Sequence, residues 1–231
     1  MGKLHLLEKS TIPDMVYAKN HCAHLYQYSR ASHRDVIILL VTFLKAVRTK
    51  GITLDLEGNK NFEVYSDAEF CGKWHLPTAD NNLSTTKSQT GYTILYSGYP
   101  IIWCSKLQTQ ITLSTMETEY IALSQSLCDA IPKMKIIIKI KGNEFLTLSI
   151  TPEVYCKAFN NNSGALELAR TPKMRPCTKH INQVYHHFWD FVQNGTIQIL
   201  AIEIQNQISD IFTKPLPQND FKLHGKKPLQ L

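Results

Sequence analysis

The chain has 231 residues, 43% of them hydrophobic, which is enough to bury a sizeable core in one or two domains and excludes a chain too polar to fold. Lys and Arg total 25 against 19 Asp and Glu, a formal charge of +6 that leans toward a polyanionic partner without identifying one. The longest apolar run, residues 36–44, is about half a membrane span, Met1 opens no signal peptide and Leu6 stands where a myristoylation motif needs Ser or Thr, so no membrane attachment is expected.

In chain order, the spacing of apolar residues predicts a helix from Pro13 to about Tyr28 and a second from His33 to Arg48. A short strand at Gly51–Leu54 and a polar turn at residues 57–60 follow, placing a domain boundary near residue 60. Three β signals come next, at Phe62–Asp67, Gly91–Tyr96 and Ile101–Ser105, and imply an antiparallel meander. Lys73–Lys87, rich in Asp, Asn, Ser and Thr, reads as an exposed loop. Ser114–Leu127 is a helix with Met116, Tyr120, Leu123 and Leu127 on one stripe, and Ser114 with Glu117 has the spacing of a capping box. Glu119 falls about 60° from Met116, at the margin of that stripe, where a carboxylate faces a site beside the core.

The last third alternates: a strand at Glu153–Phe159, a helix near Gly164–Arg170, a helix at Ile181–Gln193 closed by Asn194-Gly195, and a strand at Ile197–Ile204. Asn206 is expected to cap a final short helix that Pro215 ends, with Asp210 in its first turns. A meander, a helix and then α/β crossovers make a mixed sheet flanked by helices. The six cysteines carry no CxxC pair, and His21, Cys22 and His24 are spaced too closely along a helix to converge on one ion, so the thiols read as reduced, in an intracellular protein.

Five segments, FEVYSDAEFCGKW (62–74), KSQTGYTILYSGYPIIWCSKLQ (87–108), LSTMETEYIALSQ (113–125), TKHI (178–181) and QISDIFTKPL (207–216), resemble in order and spacing the RNase H region of copia-type retrotransposon Pol polyproteins. LLEKSTIPDMVYA (6–18) resembles the end of the reverse transcriptase region that precedes it. The resemblance implies an α/β, RNase H-like fold with a five-stranded mixed sheet. It divides the chain into a remnant of the reverse transcriptase or connection region at 1–60, an RNase H-like domain at 61–216 and a C-terminal tail at 217–231. The implied partners are an RNA/DNA hybrid and the remainder of a Pol polyprotein.

The implied chemistry is hydrolysis of the RNA strand with two Mg²⁺ ions, hard cations that take oxygen ligands and need several negative charges to offset their mutual repulsion. Carried over, Asp67 is the first-strand carboxylate, Glu119 the helix carboxylate and Asp210 the last-helix carboxylate. The third position falls on Asn161, so the site is one negative charge short and catalysis is expected to be impaired; Glu153 and Glu167 are the nearest acids along the chain, and neither is placed to substitute. Lys173, Arg175, Lys179, His180 and Lys214 are candidate contacts to hybrid phosphates. Cys177 stands where the family has Arg, Glu69 where it has a second Asp, and no Asp-Asp dipeptide of a polymerase palm occurs. A non-catalytic hybrid-binding domain, or an inert relic of a transposable element, is the alternative reading.

Overall fold

A computed structural model describes residues 2–25, 31–48, 51–52, 61–72, 83–142, 155–171 and 186–226. Five strands form one sheet: β1 (Phe62–Glu69), β2 (Gln89–Tyr96), β3 (Tyr99–Leu107), β4 (Cys156–Asn160) and β5 (Ile197–Ala201). Their spatial order is β3-β2-β1-β4-β5. The meander β1-β2-β3 is antiparallel, whereas β4 runs parallel to β1 and β5 parallel to β4. That order and pairing is the RNase H-like sheet that the motifs imply. Ser97-Gly98 makes the tight β2–β3 connection with both residues at positive φ, a conformation that glycine adopts freely and serine tolerates at some cost.

Helices cover the sheet. Among the described residues these are α1 (Gly2–Ser10), α2 (Val16–Leu25), α3 (Ala31–Ala46), α4 (Thr115–Gly142), α5 (Ser163–Arg170), α6 (Trp189–Gln193) and α7 (Gln218–Lys226). The central helix α4 lies across β1 and β2. Tyr120, Leu123 and Leu127 of α4 pack with Phe62, Val64 and Ile94 of the strands, each no more than 2% exposed. This cluster is the main core. At the start of α4 the Ser114 Oγ accepts from the Glu117 N–H at 3.2 Å, as the capping box predicts. The Glu117 carboxylate reaches one residue further back than expected, to the Leu113 N–H at 2.8 Å. The helix also runs on past Leu127 to Gly142 with Pro132 inside it, because Ala130, Ile131 and Met134 continue the buried stripe. None of the described helices is long and apolar enough to cross a membrane.

The N-terminal helices lie against β3 and a 3-10 helix at Ile208–Phe212. Val16 packs with Ile211 and Phe212, the Trp103 Nε1–H donates to the Glu8 carbonyl at 2.6 Å, and the Asn20 side-chain amide donates to the Ser105 carbonyl. A buried ion pair between Lys19 and Glu8 at 2.8 Å ties α2 to α1.

Beyond the extension of α4 and small shifts of helix and strand ends, the elements depart from the sequence expectations at several places. Residues 186–188 of the expected 181–193 helix are not helical, so that α6 begins only at Trp189, and residues 83–86 of the expected loop form a 3-10 helix. Helix α1 was not anticipated, since its apolar residues Leu6 and Leu7 remain exposed and give little stripe to detect. Strand β5 stops at Ala201, and residues 204–206 turn as a 3-10 helix. Asn206 therefore ends that turn instead of capping the next one; Gln207 occupies the cap position, and its side chain is used elsewhere. Residues 218–226, within the segment expected to be a tail, form helix α7. Residues 53–54, 73–82, 153–154 and 181–185 of the expected strands, loop and helix lie outside the described residues.

Gly91 lets the 212–213 segment pack directly against β2. It pairs with Asp67 across β1 and β2, and a Cβ there would sit 2.6 Å from Thr213 Cγ2 and 2.7 Å from Phe212 Cβ. No side chain fits in that gap. Gly91→Ala is expected to lower stability by about 1–3 kcal/mol, as overpacking of a tight interior does, measured by denaturant unfolding. An unchanged midpoint would show that the 208–213 segment is not held against β2.

Candidate active site

Parallel pairing explains why distant residues meet. Strands β1, β4 and β5 all run the same way, so their C-terminal ends, and the chain that leaves them, gather at one edge of the sheet. Asp67 lies near the end of β1 and Asn160 ends β4. Helix α4 begins after β3, whose end pairs with the start of β2 beside Glu69, which brings Glu119 to the same edge. The chain leaving β5 turns into the Ile208–Phe212 3-10 helix and brings Asp210 there as well.

Asp67, Glu119 and Asp210 converge. Asp67 is the carboxylate whose charge acts on both of the others. All three are buried, at 3%, 7% and 3% exposure. Two things raise the Glu119 carboxyl well above the ordinary range: burial first, then the neighbouring Asp67 charge. Hydrogen bonds from the Asn160 side chain, at 3.0 Å, and from the Ala68 N–H pull the other way. Burial and then Asp67 likewise push Asp210 up to about 6, against the opposing pull of Lys214.

The surrounding polar groups hold this arrangement. Thr213 Oγ1 donates to Asp67 Oδ2, and Gln207 Nε2 donates to the Ser66 carbonyl at 2.9 Å. Asn160 Nδ2 donates to the same carbonyl at 3.3 Å, while its Oδ1 accepts from the Asn162 N–H at 2.9 Å. Asn162 in turn caps α5 by accepting from the Ala165 N–H at 3.0 Å. The three asparagines of the FNNNS segment thus have separate surroundings: Asn160 binds Glu119, Asn162 caps a helix, and Asn161 follows the end of β4. The β1–β4 pairing ends at Tyr65↔Phe159, and Asn161 stands just past the end of β4, on the carboxyl side of the sheet where β1 presents Asp67. Its Oδ1 is buried and has no hydrogen-bond partner, and the same is true of Asp210 Oδ1.

Lys214 belongs to this cluster. Its Nζ lies 2.7 Å from Asp210 Oδ2, with the lysine side chain 34% exposed and the aspartate side chain 5%. Burial lowers the pKa of the ammonium, but the hydrogen bond to Asp210 and the charges of Asp67, Asp210 and Glu69 outweigh that and raise it. Lys173, Arg175, Lys179 and His180, the other expected phosphate contacts, lie outside the described residues. Sequence reasoning missed Asn160, Thr213, Gln207 and Gly91. Strand alternation with buried Cys156 and Ala158 was the one signal that would have placed Asn160 facing α4.

Two buried acceptor oxygens without donors, amid hard oxygen ligands, suit a divalent cation or a protonated group. Yet among the described residues no group of three or more His, Cys, Asp or Glu is arranged to hold a metal ion. The donor chemistry fits; a closed cage is not preformed, and Lys214 already engages one of the carboxylates.

No protein-family model matches the chain. It is 27% identical over 217 residues to the retrovirus-related Pol polyprotein from transposon RE1 of Arabidopsis thaliana, covering 94% of this chain and 14% of that protein. It is 26% identical over 226 residues to the corresponding polyprotein from transposon TNT 1-94 of Nicotiana tabacum, covering 96% of this chain and 15% of that one. Among solved structures, the N-terminal RNase H domain of Rv2228c from Mycobacterium tuberculosis, a fusion with maltose-binding protein, overlays with a TM-score of 0.43 at 9% identity, over 73% of this chain and 98% of that one. Strand order and pairing by themselves define an RNase H-like fold. These two relatives are retrovirus-related Pol polyproteins of copia-type transposons, and the chain spans about one seventh of their length.

A raised carboxyl pKa has a definite sign in stability. Asp210 holds its proton more tightly in the folded state, at about 6 against an ordinary 3.8, so its contribution declines as pH rises between those values and is flat above them. Asparagine at this position does not titrate. In chelator, the melting temperature of wild type relative to Asp210→Asn is therefore expected to fall from about pH 4 to about pH 6; a pH-independent difference would contradict the burial assigned to Asp210.

Proposed function

We propose that this chain is the RNase H-like portion of a transposon Pol polyprotein, built to hydrolyse the RNA strand of RNA/DNA hybrids with divalent metal and impaired because Asn161 replaces one carboxylate. The observation that carries the reading is the meeting of Asp67, Glu119 and Asp210 from three separate elements at one sheet edge, all buried despite their mutual repulsion. Solvated surface acids have no reason to gather in this way, and burying like charges costs stability unless function retains them.

In this reading Asp67, Glu119 and Asp210 would hold Mg²⁺, with the Asn161 carbonyl as a neutral fourth oxygen. The metal, when bound, supplies activation of a water and stabilisation of the leaving oxygen. The chain's own residues do the rest. Thr213 fixes the direction of the Asp67 carboxylate, Asn160 that of Glu119, and Gln207 clamps the β1 backbone just before Asp67. Asn161 offers the same shape as aspartate and no charge. Losing a partner that merely orients a metal ligand already costs about 10- to 100-fold, and losing a ligand's charge costs at least that much.

Asn161 also favours the second reading, a domain that binds hybrids without cutting them. Hybrid binding relies on distributed phosphate contacts, to which Lys173, Arg175, Lys179, His180 and Lys214 are candidate contributors, more than on the carboxylates. Affinity for an RNA/DNA hybrid should be measurable and should fall steeply with salt; binding that is undetectable or indifferent to salt rejects both readings.

Asn161→Asp is expected to raise Mg²⁺-dependent hybrid cleavage by about 100-fold or more, with folding nearly unchanged because the side chains are close to isosteric. Adding Asp67→Asn to that variant should abolish the gain, which separates repair from a contaminating nuclease. A folded Asn161→Asp protein with no gain in cleavage would remove Asn161 from the site.

A further inference from the structure

We infer that Lys214 is a built-in counter-ion that occupies Asp210 in the metal-free protein and must leave before a divalent cation can be held there. The inference rests on reading the carboxylate cluster as a metal site. Its basis is geometric. The ammonium is 2.7 Å from Asp210 Oδ2, the aspartate is nearly sealed from water, and its other oxygen has no partner. One oxygen is neutralised by lysine while the other remains available.

The backbone gives the lysine a firm base and its side chain an exit. The Lys214 N–H donates to the Asp210 carbonyl at 3.2 Å, as does the Thr213 N–H at 3.2 Å, so the main chain from Asp210 to Lys214 is tied into one turn. Pro215 follows at once and cannot extend the turn. The stem is about one-third exposed, unlike the carboxylate that it meets. Four flexible carbons on a fixed turn allow the head to swing between Asp210 and solvent without moving the backbone.

Charge arithmetic shows the consequence. A bound divalent ion needs all three carboxyls ionised; Asp67, Glu119 and Asp210 then carry −3, and Lys214 still in contact would lower that to −3 + 1 = −2. With lysine displaced the three carboxylates face the metal at full strength. Asn161 and Lys214 thus reduce the site's negative charge in two independent ways, one by substitution and the other by a reversible contact. Glu69 and Asp67 are the other acids that act on the ammonium, so its displacement has an electrostatic cost that any incoming cation must exceed.

Mn²⁺ serves as the probe, since its binding to the chain is read directly by paramagnetic relaxation without any cleavage. Removing the competing charge in Lys214→Gln should tighten Mn²⁺ binding by about 10-fold or more, whereas Lys214→Arg, which keeps the charge, should bind no better than wild type. In chelator Lys214→Gln should melt below wild type, and saturating Mn²⁺ should narrow or reverse that gap. Lys214→Met keeps the apolar stem and serves the same titration if glutamine impairs folding. Equal or weaker Mn²⁺ binding by the neutral variants, with binding abolished by Asp67→Asn, overturns the role of Lys214 and leaves the metal site intact. Absence of Mn²⁺ binding in every form, Lys214→Gln and Lys214→Met included, removes the site and this inference together.

Discussion

Repulsion between Asp67 and its two carboxylate neighbours is the constraint around which the rest of this domain is arranged. Buried like charges cannot rely on water to screen them, and the protein answers with protons, donors and a cation. Glu119 and Asp210 hold protons more tightly than free carboxyls do. Thr213 donates to Asp67, Asn160 and the Ala68 N–H to Glu119, and Lys214 to Asp210. These groups come from three separate stretches of chain, the end of β1, the end of β4 and residues 213–214, so the cluster can exist only when the sheet, α4 and the 208–214 turn are all in place.

That dependence reaches outward through packing. Phe212, next to Thr213, packs with Ile211 of its own turn and with Val16 of α2, and the Phe212 carbonyl accepts from Ser105 Oγ on β3. The missing side chain at Gly91 lets the turn come that close to β2. The N-terminal helices therefore brace, through β3 and Phe212, the same segment that presents Asp210. The N-terminal segment, which resembles the end of a reverse transcriptase region, is thereby physically connected to the carboxylate edge of the sheet.

Much of this was legible in the sequence because patterns with strict periods survive divergence. The strands at 62–67, 91–96 and 101–105 and the α4 stripe were marked by apolar spacing, and Asp67, Glu119 and Asp210 stood inside motifs of fixed order. What escaped notice had no period to betray it. In the run Asn160, Asn161, Asn162 three identical residues have three different surroundings, which only the end of β4 and the start of α5 distinguish. Gln207 opens the QISDIFTKPL motif but drew no role of its own there, and it donates to the backbone of β1, 141 residues away. Lys214 was expected to face phosphate; its contact with Asp210 depends on the turn that begins at Ile208, which propensity alone assigned to a helix capped one residue too early.

The central claim is that Asp67, Glu119 and Asp210 form a divalent-cation site at the carboxyl edge of the sheet. Anomalous diffraction from crystals of the chain soaked in Mn²⁺ tests it most directly. The expected result is a peak in contact with oxygens of Asp67, Glu119 and Asp210, with Lys214 Nζ moved away from Asp210. A fully occupied Mn²⁺ elsewhere on the surface, with the carboxylates and Lys214 undisturbed, would contradict the claim.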